Sequence, residues 1–132
     1  MLTHDKYLVG GASFSEWSVF ISKSFYTSFV NGADLSAIIT ALACIESFFR
    51  TEDPSSKNKK LYELINECTF LNDEEKNNLH CLRQFRNQWV HLDDCDDSSI
   101  IKNEGYYEKE CENMAFLSVE VLFAVLFSNP FI

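Results

Sequence analysis

Arg86, Asn87 and His91 are the residues of this chain whose types and spacing could do chemistry together. They lie in the segment RQFRNQWVH, residues 83–91. A guanidinium presents its donors in a fork that matches a carboxylate or a phosphate. An imidazole titrates near neutrality and can take or give a proton. At about 100° per residue, Asn87 and His91 share one helix face, while Arg86 and His91 stand about 140° apart. A long arginine side chain, or a helix that ends near Val90, is what would bring both groups to one groove edge.

The position of Arg86 is itself informative. Leu79, Leu82, Phe85, Trp89 and Val90 recur as an apolar helical stripe, and Arg86 falls only about 20° from Leu79. A buried, unpaired guanidinium costs several kcal/mol, so Arg86 needs a partner or a wet cleft. The second helix offers Glu46, which projects between Ile39 and Leu42 of its own stripe (Leu35, Ile38, Ile39, Leu42, Ile45 and Phe49). A Glu46–Arg86 ion pair across packed helices is the expectation. In the plainest reading Arg86 is only that pair's member, and His91 only caps a helix C-terminus.

The elements that position these residues read as helices. After a turn at Gly10-Gly11, residues 14–30 carry Trp17, Phe20, Ile21, Phe25 and Phe29 at helical spacing, and Asn31-Gly32 closes the run. A second helix is predicted from Asp34, as N-cap, to Arg50. TEDPSSKNKK is a polar connector, and LYELINEC is a short helix ending near Thr69. Asn72 with Glu75 three residues later forms a capping box, and acids fill the first turn of a helix running from Asp73 to about Val90. A last helix spans about Tyr107 to Phe127 and is apolar nearly all round in its second half. The expected fold is an all-α bundle of four main helices plus a short fifth, in a single domain over residues 1–132.

Composition narrows the function. Twelve Phe and 46% hydrophobic residues exclude a disordered chain, and four Gly with two Pro favour long helices. A net charge of −9 argues against a broad electrostatic footprint on DNA or RNA, though not against a local phosphate site. The start of the chain lacks a hydrophobic signal segment, and MAFLSVEVLFAVLF is too short for a membrane span and carries Glu120. Five cysteines (Cys44, Cys68, Cys81, Cys95 and Cys111) are odd in number, with no CxxC pair. They read as reduced thiols of a cytoplasmic protein, acting as small core hydrophobes rather than nucleophiles.

Arg86-Asn87-Gln88-Trp89-Val90-His91 resembles the R-x4-6-H motif of HEPN domains, including their common choice of Asn directly after the Arg. HEPN domains are all-α bundles of about this size, with the motif at the C-terminal end of a late helix and an acidic residue in the second helix, here Glu46. The resemblance covers most of the chain as architecture and the segment 86–91 as motif. It implies a HEPN-like fold and a metal-independent endoribonuclease of a toxin or defence type, working without cofactor as a homodimer. A cognate antitoxin or effector protein is the further partner it implies. His91 would act as general base or acid on the RNA 2′-hydroxyl or the leaving oxygen. Arg86 would hold the scissile phosphate, Asn87 would orient the imidazole or donate to a phosphate oxygen, and Glu46 would support Arg86. Attack by the neighbouring hydroxyl leaves DNA uncut. Leu92-Asp93 follow the histidine, where HEPN toxins regulated by a nucleotidyltransferase carry a Tyr two residues after it. The alternative is a HEPN-like module that binds a second copy, a nucleotide or a partner without cutting. The intact motif favours the first reading, and the acidic run Asp93–Asp97 favours the second.

Other candidates are weaker. Asp93–Asp97 with His91 matches no calcium-loop or zinc spacing, so no metal is expected. His80 reads as a surface residue and His4 as part of a frayed terminus. Lys57, Lys59 and Lys60 read as a solvated loop. The aromatic residues of the first helix read as core or dimer surface, since a base-stacking platform is accompanied by basic residues.

Overall fold

The computed structural model describes residues 6–9, 12–90 and 104–127. Strands β1 (Lys6–Val9) and β2 (Ala12–Ser15) pair antiparallel, Val9 opposite Ala12 and Lys6 opposite Ser15. Then follow α1 (Glu16–Val30), α2 (Asp34–Glu52), a 3₁₀ helix (Pro54–Asn58), α3 (Leu61–Glu67), α4 (Asp73–Val90) and α5 (Glu104–Phe127). The body is all-α, as the periodicity predicts, with the short hairpin as an addition. Residues 14 and 15 lie in β2 rather than in the first helix. Two short runs separated by Gly-Gly make a hairpin signal. Gly10 and Gly11 themselves, read as a turn, lie outside the described residues.

Local chemistry explains the helix boundaries. At the end of α1, Ala33 N–H donates to Ser28 O (2.8 Å) and Gly32 N–H to Phe29 O (3.2 Å). This crossed pair is a Schellman closure, and Gly32 supplies the positive φ of 75° that it requires. The same closure moves the start of α2 by one residue. Ala33, not Asp34, is its N-cap, and it has no side-chain cap bond. Asp34 is instead the first helical residue, and its carboxyl is pushed up by burial and by Glu112 of α5. At α4 the expected capping box is present in both directions: Glu75 N–H donates to Asn72 Oδ1 (2.8 Å) and Asn72 N–H to Glu75 Oε1 (2.9 Å).

The core is organised by α2. Its buried residues are Ala37, Ile38, Ala41, Leu42, Cys44, Ile45, Phe48 and Phe49. It packs chiefly against α1 and α5, and also meets α3, α4 and the 3₁₀ helix. From α4 come Leu79, Leu82 and Phe85; from α5 come Ala115, Val121, Leu122, Val125 and Leu126. Each fully buried Leu or Ile contributes roughly 1.5–3 kcal/mol over leaving it in water. The buried Ser118 hydroxyl is satisfied by Ala115 O at 2.6 Å. Two of the expected core positions fall elsewhere: Leu35 is only half-buried, and Ile39 is exposed. On α5 the all-round apolar character leaves Phe116, Phe123 and Phe127 exposed, with Glu120 on the same stripe.

His80 is not a free surface residue. It is half-buried, and its Nε2 meets Asn66 Oδ1 of α3 at 2.8 Å. Arg83 Nε donates to Nδ1 (3.4 Å). Because a guanidinium only donates, Nδ1 is the acceptor and Nε2 carries the proton given to Asn66. Lys76 Nζ donates to Asn66 O (3.2 Å), and Arg83 lies over the Tyr62 ring. These bonds clasp α3 to α4 with a neutral imidazole.

Two tests follow from these local devices. Gly32 has open space around its Cβ position, so Gly32→Ala suffers only the backbone conformational cost, about 1 kcal/mol. Urea unfolding should show that loss, with a smaller one for Gly32→Asn. Burial, then the charges of Arg83 and Lys76, hold the His80 pKa below its ordinary value. The folded chain therefore binds this proton less readily than the unfolded chain. The clasp's contribution is complete above the ordinary histidine pKa of about 6.5 and is lost as pH falls through the lower folded value. The drop in urea midpoint between neutral and mildly acidic pH should be smaller in His80→Gln than in the wild type. Equal drops would refute the clasp.

Candidate functional site

One face of α2 points away from the core. Ile39, Ala43, Glu46, Ser47, Arg50 and Thr51 lie along it, and they floor a groove of about 490 Å³. Trp17 near the start of α1 and Arg86 near the end of α4 complete the lining. The stripe Ile39–Ala43–Glu46–Arg50 follows helical spacing. It is therefore α2's own periodicity, with its opposite face in the core, that aims these residues into the groove.

The two arginines of the groove have different occupations. Arg50 donates from Nε (3.3 Å) and Nη2 (3.1 Å) to Glu46 Oε2, from Nη2 to Lys59 O (2.7 Å), and from Nη1 to Ser56 O (2.7 Å) and Lys57 O (3.5 Å). All of its donors are engaged. It ties the segment after α2 back onto the helix, so the polar connector is an ordered clasp rather than a solvated loop. Asp53 adds to the clasp by accepting from Ser55 N–H (3.0 Å) and Ser55 Oγ (2.6 Å), bonds that hold its carboxyl below the usual range. Lys59 pairs with Glu67 of α3 at 2.9 Å.

Arg86 is half-buried, and its Nε (3.2 Å) and Nη2 (3.0 Å) both donate to Asn87 Oδ1. The long side chain has turned toward its neighbour, which cancels the angular separation between Arg86 and the Asn87 face. Since the guanidinium only donates, the amide atom facing it is oxygen, and the Asn87 NH₂ is directed elsewhere. The remaining donors, on Nη1 and Nη2, have no acceptor among the described residues.

The expected direct Glu46–Arg86 ion pair is not made. Glu46 bonds to Arg50, four residues on in its own helix, and no carboxylate among the described residues lies within ion-pair distance of Arg86. The reason is proximity along the helix: an i, i+4 acid–base pair closes locally at little entropic cost. Glu46 and Arg86 nevertheless line the same groove. Among the described residues, Arg86 is thus placed at the open cleft and not in an ion pair.

Arg86, Asn87 and Glu46 are thus placed within one region, at or beside the groove. His91 directly follows Val90, the last residue of α4, and lies outside the described residues, as do Asp93–Asp97, Cys95 and His4. Trp17 and Arg50 are groove residues that sequence reasoning did not nominate. Arg50 carried a signal, being four residues after Glu46. Trp17 carried none, because only the packing of α1 and α4 on α2 brings it to the groove that Arg86 lines.

The cysteines offer no competing chemistry among the described residues. Cys44 and Cys68 are buried, Cys111 is half-buried, and burial pushes all three thiols up. Cys81 is exposed, correcting its assignment to the core. Among the described residues, no group of three or more His, Cys, Asp or Glu is placed to hold a metal ion. No helix there is long and apolar enough to cross a membrane.

No protein-family model, curated protein or solved structure matches the chain.

The arginines make opposite predictions for stability. Arg50→Ala strands the Ser56 and Lys59 carbonyls and Glu46, and should cost about 2–3 kcal/mol. Arg86→Ala removes bonds to a single acceptor and should cost about 1 kcal/mol or less. Denaturant midpoints of the two variants, measured side by side, decide it. A larger loss for Arg86→Ala would make that residue a structural ion-pair member after all.

Proposed function

We propose that this protein is a HEPN-type, metal-independent endoribonuclease of a toxin or defence type, acting as a homodimer. The observation that carries this reading is the half-buried Arg86. It is oriented by Asn87, has donors without an acceptor among the described residues, and lines a groove whose other arginine is already saturated. A cation prepared in this way suits an anionic ligand better than a structural pair. The motif residues then take the roles their chemistry allows. His91 removes the proton from the RNA 2′-hydroxyl, or returns one to the leaving oxygen. The 2′-oxygen attacks phosphorus, the bond to the 5′-oxygen breaks, and a cyclic phosphate and a free 5′-hydroxyl result. Arg86 holds the phosphate and offsets the charge that builds on it. Asn87 keeps the guanidinium in place through its oxygen and has its NH₂ left to donate to phosphate or imidazole. Glu46 acts indirectly, by neutralising Arg50. A cognate antitoxin or effector protein belongs to the same reading.

A second reading has its own support. The net charge of −9 opposes a long polyanion, which suits a HEPN-like module that binds a nucleotide or a partner without cutting it.

Expression of wild type, Arg86→Ala and His91→Ala, followed by growth and total-RNA assays with a chelator present, separates the readings. The wild type should arrest growth and cut RNA. Each variant should lose about 100-fold or more of the activity, and an oligonucleotide with a 2′-deoxy residue at the scissile position should stay intact. A verified wild-type dimer that leaves RNA whole would sink the nuclease reading. Activity abolished by the chelator would move the chemistry to a metal.

A further inference from the structure

Trp17 is the groove residue that the proposed chemistry leaves unused. It is 51% exposed, at the first turn of α1, and it lines the same groove as Arg86. Ile39, 38% exposed, lies on the groove floor. An indole is among the largest apolar surfaces a side chain can present, and leaving half of it in water is unfavourable unless something covers it. What covers it must also suit the rest of the lining. Glu46 is bonded to Arg50, and Arg50 has no donor left. Among the described residues no carboxylate pairs with Arg86, and its donors not given to Asn87 are the ones a phosphate would take. In a chain of net charge −9 this is a local exception of opposite sign. A ligand with a flat aromatic part and one anionic group matches both ends, and a groove of about 490 Å³ is in the size range of small-ligand sites.

We propose that Trp17 is the base-stacking residue of this groove, taking one base of a single-stranded ribonucleotide segment whose phosphate Arg86 binds. This rests on the RNA reading above and extends it, because it assigns how a chain with few cations holds its substrate. Stacking is sequence-tolerant and independent of net charge. One aromatic platform beside one guanidinium gives affinity for a short unpaired segment without a basic stripe. Duplex RNA, whose bases already stack on one another, is excluded from such a site.

The test uses a short, unstructured 2′-O-methyl oligoribonucleotide, which cannot be cut because its attacking hydroxyl is blocked. Binding is read by fluorescence polarisation of a labelled oligonucleotide at low salt, for the wild type, Trp17→Ala, Trp17→Phe and Arg86→Ala. Trp17→Ala should weaken binding by about tenfold or more, and Trp17→Phe should restore most of it. The two tryptophans allow a direct readout. Trp89 Nε1 is buried without a hydrogen-bond partner among the described residues, so Trp89→Phe removes no bond between them. In that background Trp17 is the sole tryptophan, and with excitation at the indole band saturable quenching by the oligonucleotide is expected. Wild-type affinity in Trp17→Ala, with binding lost in Arg86→Ala, would overturn the stacking role and leave the RNA reading standing. If the wild type neither binds the oligonucleotide nor cuts RNA, both fall. Trp17 emission that shifts with protein concentration alone would show a second copy covering the indole, and that too overturns the proposal.

Discussion

The burial of one face of α2 is the constraint on which the remaining structure depends. Ile38, Leu42 and Ile45 are fully enclosed, and the helix meets every other helix of the described fold. Removing that face from water is the largest favourable contribution the chain can make with a single element. Once the face is committed, the rotation of α2 is set, and so is the direction of its opposite edge. Ile39, Ala43, Glu46 and Arg50 must then face the space between α1 and α4. The groove is a by-product of core packing.

Charge within the groove follows from competition between near and distant partners. Glu46 has Arg50 one helical turn away and Arg86 on another helix. A neighbour held by the same helix needs little ordering, whereas a partner across the groove must be held by tertiary contacts. Arg50 also collects the carbonyls of Ser56, Lys57 and Lys59, and so joins the groove floor to the start of α3. Among the described residues the local pair thereby leaves Arg86 with the Asn87 amide as its partner. A guanidinium with one neutral partner in a solvated groove is inexpensive to keep there and well suited to receive an anion.

This division of labour reconciles an acidic chain with a reading that involves RNA. Net charge sets long-range attraction and non-specific affinity, and here it disfavours both. A single oriented cation with an aromatic residue nearby acts at short range, where desolvation and geometry outweigh the distant field. An enzyme of this design would select short unpaired segments and bind them weakly. The same properties would serve a non-cutting nucleotide-binding module equally well, which is why the chemistry at His91, rather than binding, separates the two readings.

Much of the fold was legible because it rests on interactions between residues close in the chain. The capping box of Asn72 and Glu75, the Asn31-Gly32 stop and the stripe of Leu79, Leu82 and Phe85 are properties of single helices, and each is where periodicity and cap chemistry put it. Gly10-Gly11 between two short runs signals the hairpin, but the aromatic periodicity of α1 extends back to Phe14 and competes with that signal. Tertiary structure alone decided three matters. It left Ile39 outside the core, because α2 buries less of its circumference than its apolar pattern spans. It placed Trp17 beside Arg86, so that a helix with few basic residues of its own gained one from α4. It also set Arg86 in a groove with Glu46, without the direct ion pair between them. The sequence by itself determined that Glu46 stands on α2 and that Arg86 and Asn87 stand on α4, because helix periodicity and caps are local. Their neighbours across helices depended on how the bundle packs, because side chains far apart in the chain meet only after the core has been buried.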